Sequence, residues 1–150
     1  MADILIDTNV LVYAHDRGEF VKQQQAIRAL EALQLAGTGR LTAQVLAEFF
    51  RGVTKSARPL LTIEQARQQF GYIARAWLVF DVTPLVVLEA ARGVQDHQLA
   101  YYDAQVWATA RLNQIPVIFS EDFTSGATLE GVRFANPFAA DFAIETWVDA

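Results

Sequence analysis

Apolar and polar positions alternate along the chain between two periods. Ile4-Leu5-Ile6 is a short continuous apolar run, stops at Asp7, and resumes at Val10-Leu11-Val12. That interruption predicts a buried strand that delivers a carboxylate to the edge of a core, then a helix beginning near Asn9. From Phe20 to Leu35 the apolar positions Ile27, Leu30 and Leu33 recur at helical spacing, until Gly37 and Gly39 end the run. Thr42 is placed to cap a third helix, whose Val45, Leu46, Phe49, Phe50 and Val53 form one stripe, and Pro59 falls in the loop after it. Thr62 and Gln65 have the spacing of a capping box and predict a fourth helix.

The second half repeats the alternation. "WLVFDV" reads as a strand, and Thr83-Pro84 supplies a cap and a first-turn proline for a helix through "LVVLEAARGV". A further helix is predicted from about Tyr102 to Leu112, then "IPVIF" as a strand, and "VRFA" as a last short edge strand before Asn136-Pro137. Apolar strands separated by helices predict a mainly parallel central sheet in a three-layer α/β/α domain. There is no internal repeat or linker. Residues 139–150 form a tail in which acids mix with Phe142, Ile144 and Trp147, expected to pack on the domain, residues 1–138, or on a second copy.

At 150 residues the chain is the size of one domain, able to bury roughly 70% of the surface of its unfolded form. It has no cysteine, which removes disulfides and cysteine zinc sites, and no apolar run nears the roughly 20 residues of a membrane span. A soluble, cytoplasmic protein is expected. The net charge of −5 opposes a broad basic nucleic-acid surface. Yet if four carboxylates are neutralised by cations, 13 of the 17 acids remain against 12 bases, close to balance. Ten of those bases are Arg, with Lys22 and Lys55 the exceptions, which suits bidentate phosphate contacts.

Four acids stand out by position. Asp7 and Asp122 follow two predicted strands, and ligands of parallel sheets gather beyond the strands' carboxyl ends. Glu48 borders the apolar stripe of its helix, about 60° from Val45 at 100° per residue. Gly52, one turn later, is costly in a helix and suggests close approach of a ligand or another backbone. Asp103 precedes Val106, Trp107 and Ala110 at i+3, i+4 and i+7, on the buried face of its helix. Each acid also has an ordinary explanation: Asp7 and Asp122 as turn or cap residues, Glu48 as a solvated helix residue, Asp103 as an acceptor for helix N-terminal amides. As a set at one end of one sheet they would repel unless cations lay among them, and oxygen-only ligands select Mg²⁺ or Mn²⁺ over zinc. His15 and His97 lack partners at ligand spacing, and Asp16 and Glu19 lie in a predicted exposed turn. Phe49, Phe50 and Trp107 read as core.

The blocks "IDTNVLVYAHD", "TAQVLAEFF", "LAYYDAQVWATA", "IFSED" and "NPF", in this order, resemble the PIN domain, most closely its VapC-type toxins, over about residues 3 to 138. The resemblance implies a metal-dependent ribonuclease with Asp7, Glu48, Asp103 and Asp122 as its acids, bound to one or two Mg²⁺ or Mn²⁺ ions. It places the family's hydroxyl residue on Ser120, and the polar residues that orient the first acid on Thr8 and Asn9. It also implies a homodimer and a cognate antitoxin that inserts a C-terminal segment into the active-site groove. Tyr101, where serine is frequent, and Gln105, in place of an aliphatic residue, depart from the pattern. Carboxylate-held cations can activate water for in-line attack on a phosphodiester. Asp7, Asp103 and Asp122 are expected as main ligands, Glu48 at a second metal or on the water, and Ser120 fixing Asp7 or Asp122. Single-stranded or looped RNA is the expected substrate, flanked by Thr8, Asn9, Arg17, Arg51 and Arg58.

Other readings are a PIN nuclease of RNA processing that is not a toxin, and a PIN-like binding module without catalysis. A haloacid-dehalogenase-type phosphatase wants a second aspartate where Asn9 stands. A receiver domain wants a late lysine, and none follows Lys55.

Overall fold

The computed structural model describes residues 1–148. The chain runs β1 (Ile4–Ile6), α1 (Thr8–Tyr13), α2 (Phe20–Ala36), β2 (Gly39–Thr42), α3 (Ala43–Thr54), α4 (Ile63–Ala76), β3 (Leu78–Phe80), α5 (Pro84–His97), α6 (Tyr101–Leu112), β4 (Val117–Phe119), β5 (Thr128–Leu129), β6 (Val132–Ala135) and α7 (Glu145–Val148). Six strands form one sheet in the order β3-β2-β1-β4-β6-β5, parallel except where β5 pairs with β6. With its helices the sheet makes a three-layer α/β/α domain. Among the described residues no helix is long and apolar enough to cross a membrane.

Local chemistry sets the helix starts. The side chains of Thr42, Thr62 and Thr83 accept from the amides of Val45, Gln65 and Val86, and Gln65 returns a bond to the Thr62 amide to complete a capping box. Each such cap contributes on the order of 1 kcal/mol. The core lies over β1 and β4, whose residues are buried on both faces, with Phe49 and Trp107 the largest side chains fully enclosed.

Three features depart from the sequence reading. β2 was expected as the glycine-rich end of α2. Gly37 does end the helix, with φ +72°, but Gly39 opens a strand by pairing with Ile4, and the ring of Trp77 stands where its Cβ would be. "VRFA" is not an edge strand: β6 lies between β4 and β5, and a tight Glu130-Gly131 turn folds β5 back onto it. Arg92 and His97 on α5 and Arg111 on α6 hold the Glu130 carboxylate, pushing its pKa down to about 2. Gly52 makes room for the Val12 side chain on the neighbouring helix α1, whose Cγ2 would stand 3.2 Å from its Cβ, and not for another backbone. In the C-terminal segment, Phe142 and Trp147 set ring edges against Phe119 at 5.2 and 5.4 Å, and Arg28 pairs with Glu145. The last two residues of the predicted tail, 149–150, lie outside the described residues.

Gly39→Ala should destabilise the protein by about 1–3 kcal/mol, the usual cost of overpacking, because Trp77 is itself enclosed. Urea unfolding checks this, and wild-type stability in the variant would contradict the assigned packing.

Candidate active site

Strand register builds the site. β1 pairs with β4 so that Ile6 faces Phe119, and the next residues, Asp7 and Ser120, leave the sheet side by side. The ladder extends beyond the strands: the Asp7 amide donates to Phe119 O at 3.0 Å and the Ser120 amide to Ala135 O at 3.0 Å. The strand order reverses between β1 and β4, with β2 on one side and β6 on the other, which is where parallel sheets leave a crevice.

Asp7 is buried, with 4% exposure, and caps α1 through Oδ1, which accepts from the Thr8 amide at 2.8 Å. Its Oδ2 accepts from the Ser120 hydroxyl at 2.7 Å. Ser120 Oγ in turn accepts from the Asp122 amide at 3.0 Å and from Asn9 Nδ2 at 3.2 Å. The Asn9 amide also reaches Asp122 Oδ2 at 3.2 Å and, more weakly, Asp7 Oδ2 at 3.5 Å. Ser120, fully buried, thus ties Asp7 to the loop after β4.

Asp7, half-buried Asp103 and exposed Asp122 each offer a carboxylate oxygen, and these oxygens lie within 4.8 Å of one another. Asp103 takes its place from the first turn of α6, whose cap residue, Ala100, makes no side-chain bond. Glu48 stands outside that group of three. Thr8 Oγ1 donates to its Oε2 at 3.0 Å and Gln44 Nε2 to its Oε1 at 2.6 Å.

The electrostatics follow from crowding. Burial pushes the Asp7 carboxyl up to about 6, with the Asp122 and Asp103 charges adding and the Ser120 and Thr8 hydrogen bonds opposing. Asp103 is also raised, by its own desolvation first and then by Asp122 and Glu48. An oxygen-only cluster whose charges are this confined fits a hard divalent cation, which would relieve both burial and repulsion.

Arg17, Arg51 and Arg58 are exposed. Thr8 and Asn9 spend their side chains on the acids themselves. His15 packs against Phe49 at 5.5 Å, and burial lowers its pKa. The sequence reading did not single out Gln44, whose signal was its place one turn before Glu48, or the grip on Glu121. That carboxylate accepts from Tyr13 Oη at 2.9 Å and Lys22 Nζ at 3.0 Å.

The PIN domain family model matches residues 4–124. No curated protein matches the sequence. Among solved structures, a toxin–antitoxin complex from Klebsiella pneumoniae is similar with a TM-score of 0.66 at 19% identity, over 90% of this chain and 98% of that one. The sarcin–ricin-loop-cleaving toxin VapC20 of Mycobacterium tuberculosis gives 0.65 at 18%, over 85% and 98%. VapBC2 from Rickettsia felis, bound to a promoter DNA fragment, gives 0.65 at 17%, over 89% and 97%. At these identities the likeness is one of fold.

A carboxyl raised from 3.8 to about 6 makes the folded state bind a proton that the unfolded chain releases, so its contribution to stability falls as pH rises through that window. The cost at neutral pH is on the order of 3 kcal/mol. In EDTA, Asp7→Asn should therefore stabilise the fold by about 1–3 kcal/mol at pH 7.5 and by almost nothing at pH 4. Thermal melts against pH measure it; a variant less stable than wild type at pH 7.5 would refute the buried-charge account.

Proposed function

The chain belongs to the PIN domain family, and on that footing we propose that it is a Mg²⁺- or Mn²⁺-dependent endoribonuclease, the toxin of a VapBC-type pair. The observation that carries the reading is the convergence of Asp7, Asp103 and Asp122 within 4.8 Å at the sheet's switch point. Nothing in a structural role needs three carboxylates to share so small a space.

Asp7, Asp103 and Asp122 are the residues that would hold the cation, and Glu48, beside them, would hold a second ion or orient the attacking water. Bound there, a divalent cation supplies a water of lowered pKa and stabilises charge on the leaving oxygen. The protein's own residues do the rest. Ser120 and the Thr8 amide keep Asp7 aimed into the site, Asn9 spans the Asp7 and Asp122 carboxylates, and Thr8 and Gln44 hold Glu48. Arg17, Arg51 and Arg58, exposed at the surface, would bind flanking phosphates of an unpaired RNA.

The toxin assignment draws on the fold shared with toxin–antitoxin proteins from three organisms. It carries with it a cytoplasmic location, a cognate antitoxin that inserts a C-terminal segment into the active-site groove, and a homodimer. The exposed Leu85 and Leu88 on α5 are apolar surface available to such a dimer.

Purified protein incubated with unstructured RNA should cleave it in Mn²⁺ or Mg²⁺ and not in EDTA, leaving 5′-phosphate and 3′-hydroxyl ends. Asp7→Asn should lower the rate at least about a hundredfold, the scale of losing a charge-stabilising group at a reacting centre. Metal-dependent cleavage that survives in Asp7→Asn would sink the assignment.

A further inference from the structure

The two residues that depart from the family pattern, Tyr101 and Gln105, are joined to Glu48 by a chain of hydrogen bonds. Tyr101 Oη donates to Gln105 Oε1 at 2.9 Å, Gln105 Nε2 to Gln44 Oε1 at 2.7 Å, and Gln44 Nε2 to Glu48 Oε1 at 2.6 Å. Gln44 Nε2 also donates to the Tyr102 carbonyl at 3.0 Å. Gln44 and Gln105 are 9% and 6% exposed. Buried amides cost free energy unless bonded, and an apolar pair would fill the same space without that cost.

The chain has a direction. Glu48 Oε1 and the Tyr102 carbonyl both require a donor, so the Gln44 amide turns its nitrogen to them and its oxygen away. That oxygen needs a donor, which orients Gln105, whose own oxygen then needs the Tyr101 hydroxyl. Every group along the chain is matched once Glu48 Oε1 accepts at its end. The chain also joins α3, which carries Glu48, to α6, which carries Asp103. The two acids carry like charge, so the spacing of these helices sets how strongly they repel.

We infer that Gln44, Gln105 and Tyr101 form a positioning relay that holds Glu48 at a set distance and orientation from Asp103, and thereby tunes the affinity of the acidic site for a divalent cation. This rests on the nuclease reading and extends it to residues outside the acid set. None of the three touches the reacting atoms.

The test is a double-mutant cycle read by Mn²⁺ calorimetry and by the Mn²⁺ dependence of RNA cleavage, with thermal melts alongside. Gln105→Met, close in volume to the native residue, should weaken Mn²⁺ binding about fivefold to tenfold and raise the half-saturating Mn²⁺ equally, with the KM for RNA changed by less than about twofold. Tyr101→Phe, which loses only a hydroxyl, should shift both in the same direction by about twofold to threefold, and it carries the comparison alone if Gln105→Met fails to fold. Both shifts should vanish in a Glu48→Ala background. A residue that acted only on folding would shift metal affinity equally in either background. Wild-type Mn²⁺ affinity in both variants, or shifts that persist without Glu48, overturns the relay and leaves the nuclease reading standing. A wild-type protein that neither binds Mn²⁺ nor cleaves RNA overturns both.

Discussion

The parallel pairing of β1 with β4 is the constraint on which the rest of the site depends. Its register sets Ile6 against Phe119, so Asp7 and Ser120 emerge as neighbours and the serine hydroxyl can bond the aspartate across 113 positions of sequence. A slip of one residue would turn every side chain of one strand to the other face and part this pair. Both strands are buried on both sides, so their register is held by the whole core and not by the site.

What the core holds in place is unfavourable on its own terms. A carboxylate with 4% exposure, two further acids within 4.8 Å, and Glu48 near one of them make a concentration of like charge that favours protonation. The structure answers with oriented donors. The Thr8 amide and Ser120 serve Asp7, Asn9 serves Asp122, and Thr8 with Gln44 serves Glu48. Glu121, adjacent in sequence to Asp122, has its carboxylate held by Lys22 and Tyr13. Lys22 is the stronger for it, its ammonium pushed up to about 12 chiefly by Glu121.

Legibility varied with the range of the interaction involved. Thr42, Thr62 and Thr83 were readable as caps because the bond each makes is three residues away. β2 was not, because Gly39 was a helix terminator by every local rule and is a strand residue through its pairing with Ile4, 35 positions back. β6 was mistaken for an edge because the two-residue strand covering it, Thr128–Leu129, has no periodicity to read. Asp103 was open to an explanation as a helix-terminal acceptor. The charges that raise it, Asp122 and Glu48, come from other elements altogether.

The sequence by itself determined the alternation of strand and helix, the helix starts, and which four acids stood at suspicious places, because hydrophobic period and capping act over a few residues. Its ordered motifs also pointed to the family. Only the tertiary structure decided that three of those acids share one small volume while Glu48 is held apart, that Ser120 serves Asp7, and that Gln44, Gln105 and Tyr101 connect two acid-bearing helices. The hydrogen bonds between elements that fix these arrangements span 40 to 113 positions, set by strand register and helix packing, and no local pattern encodes them.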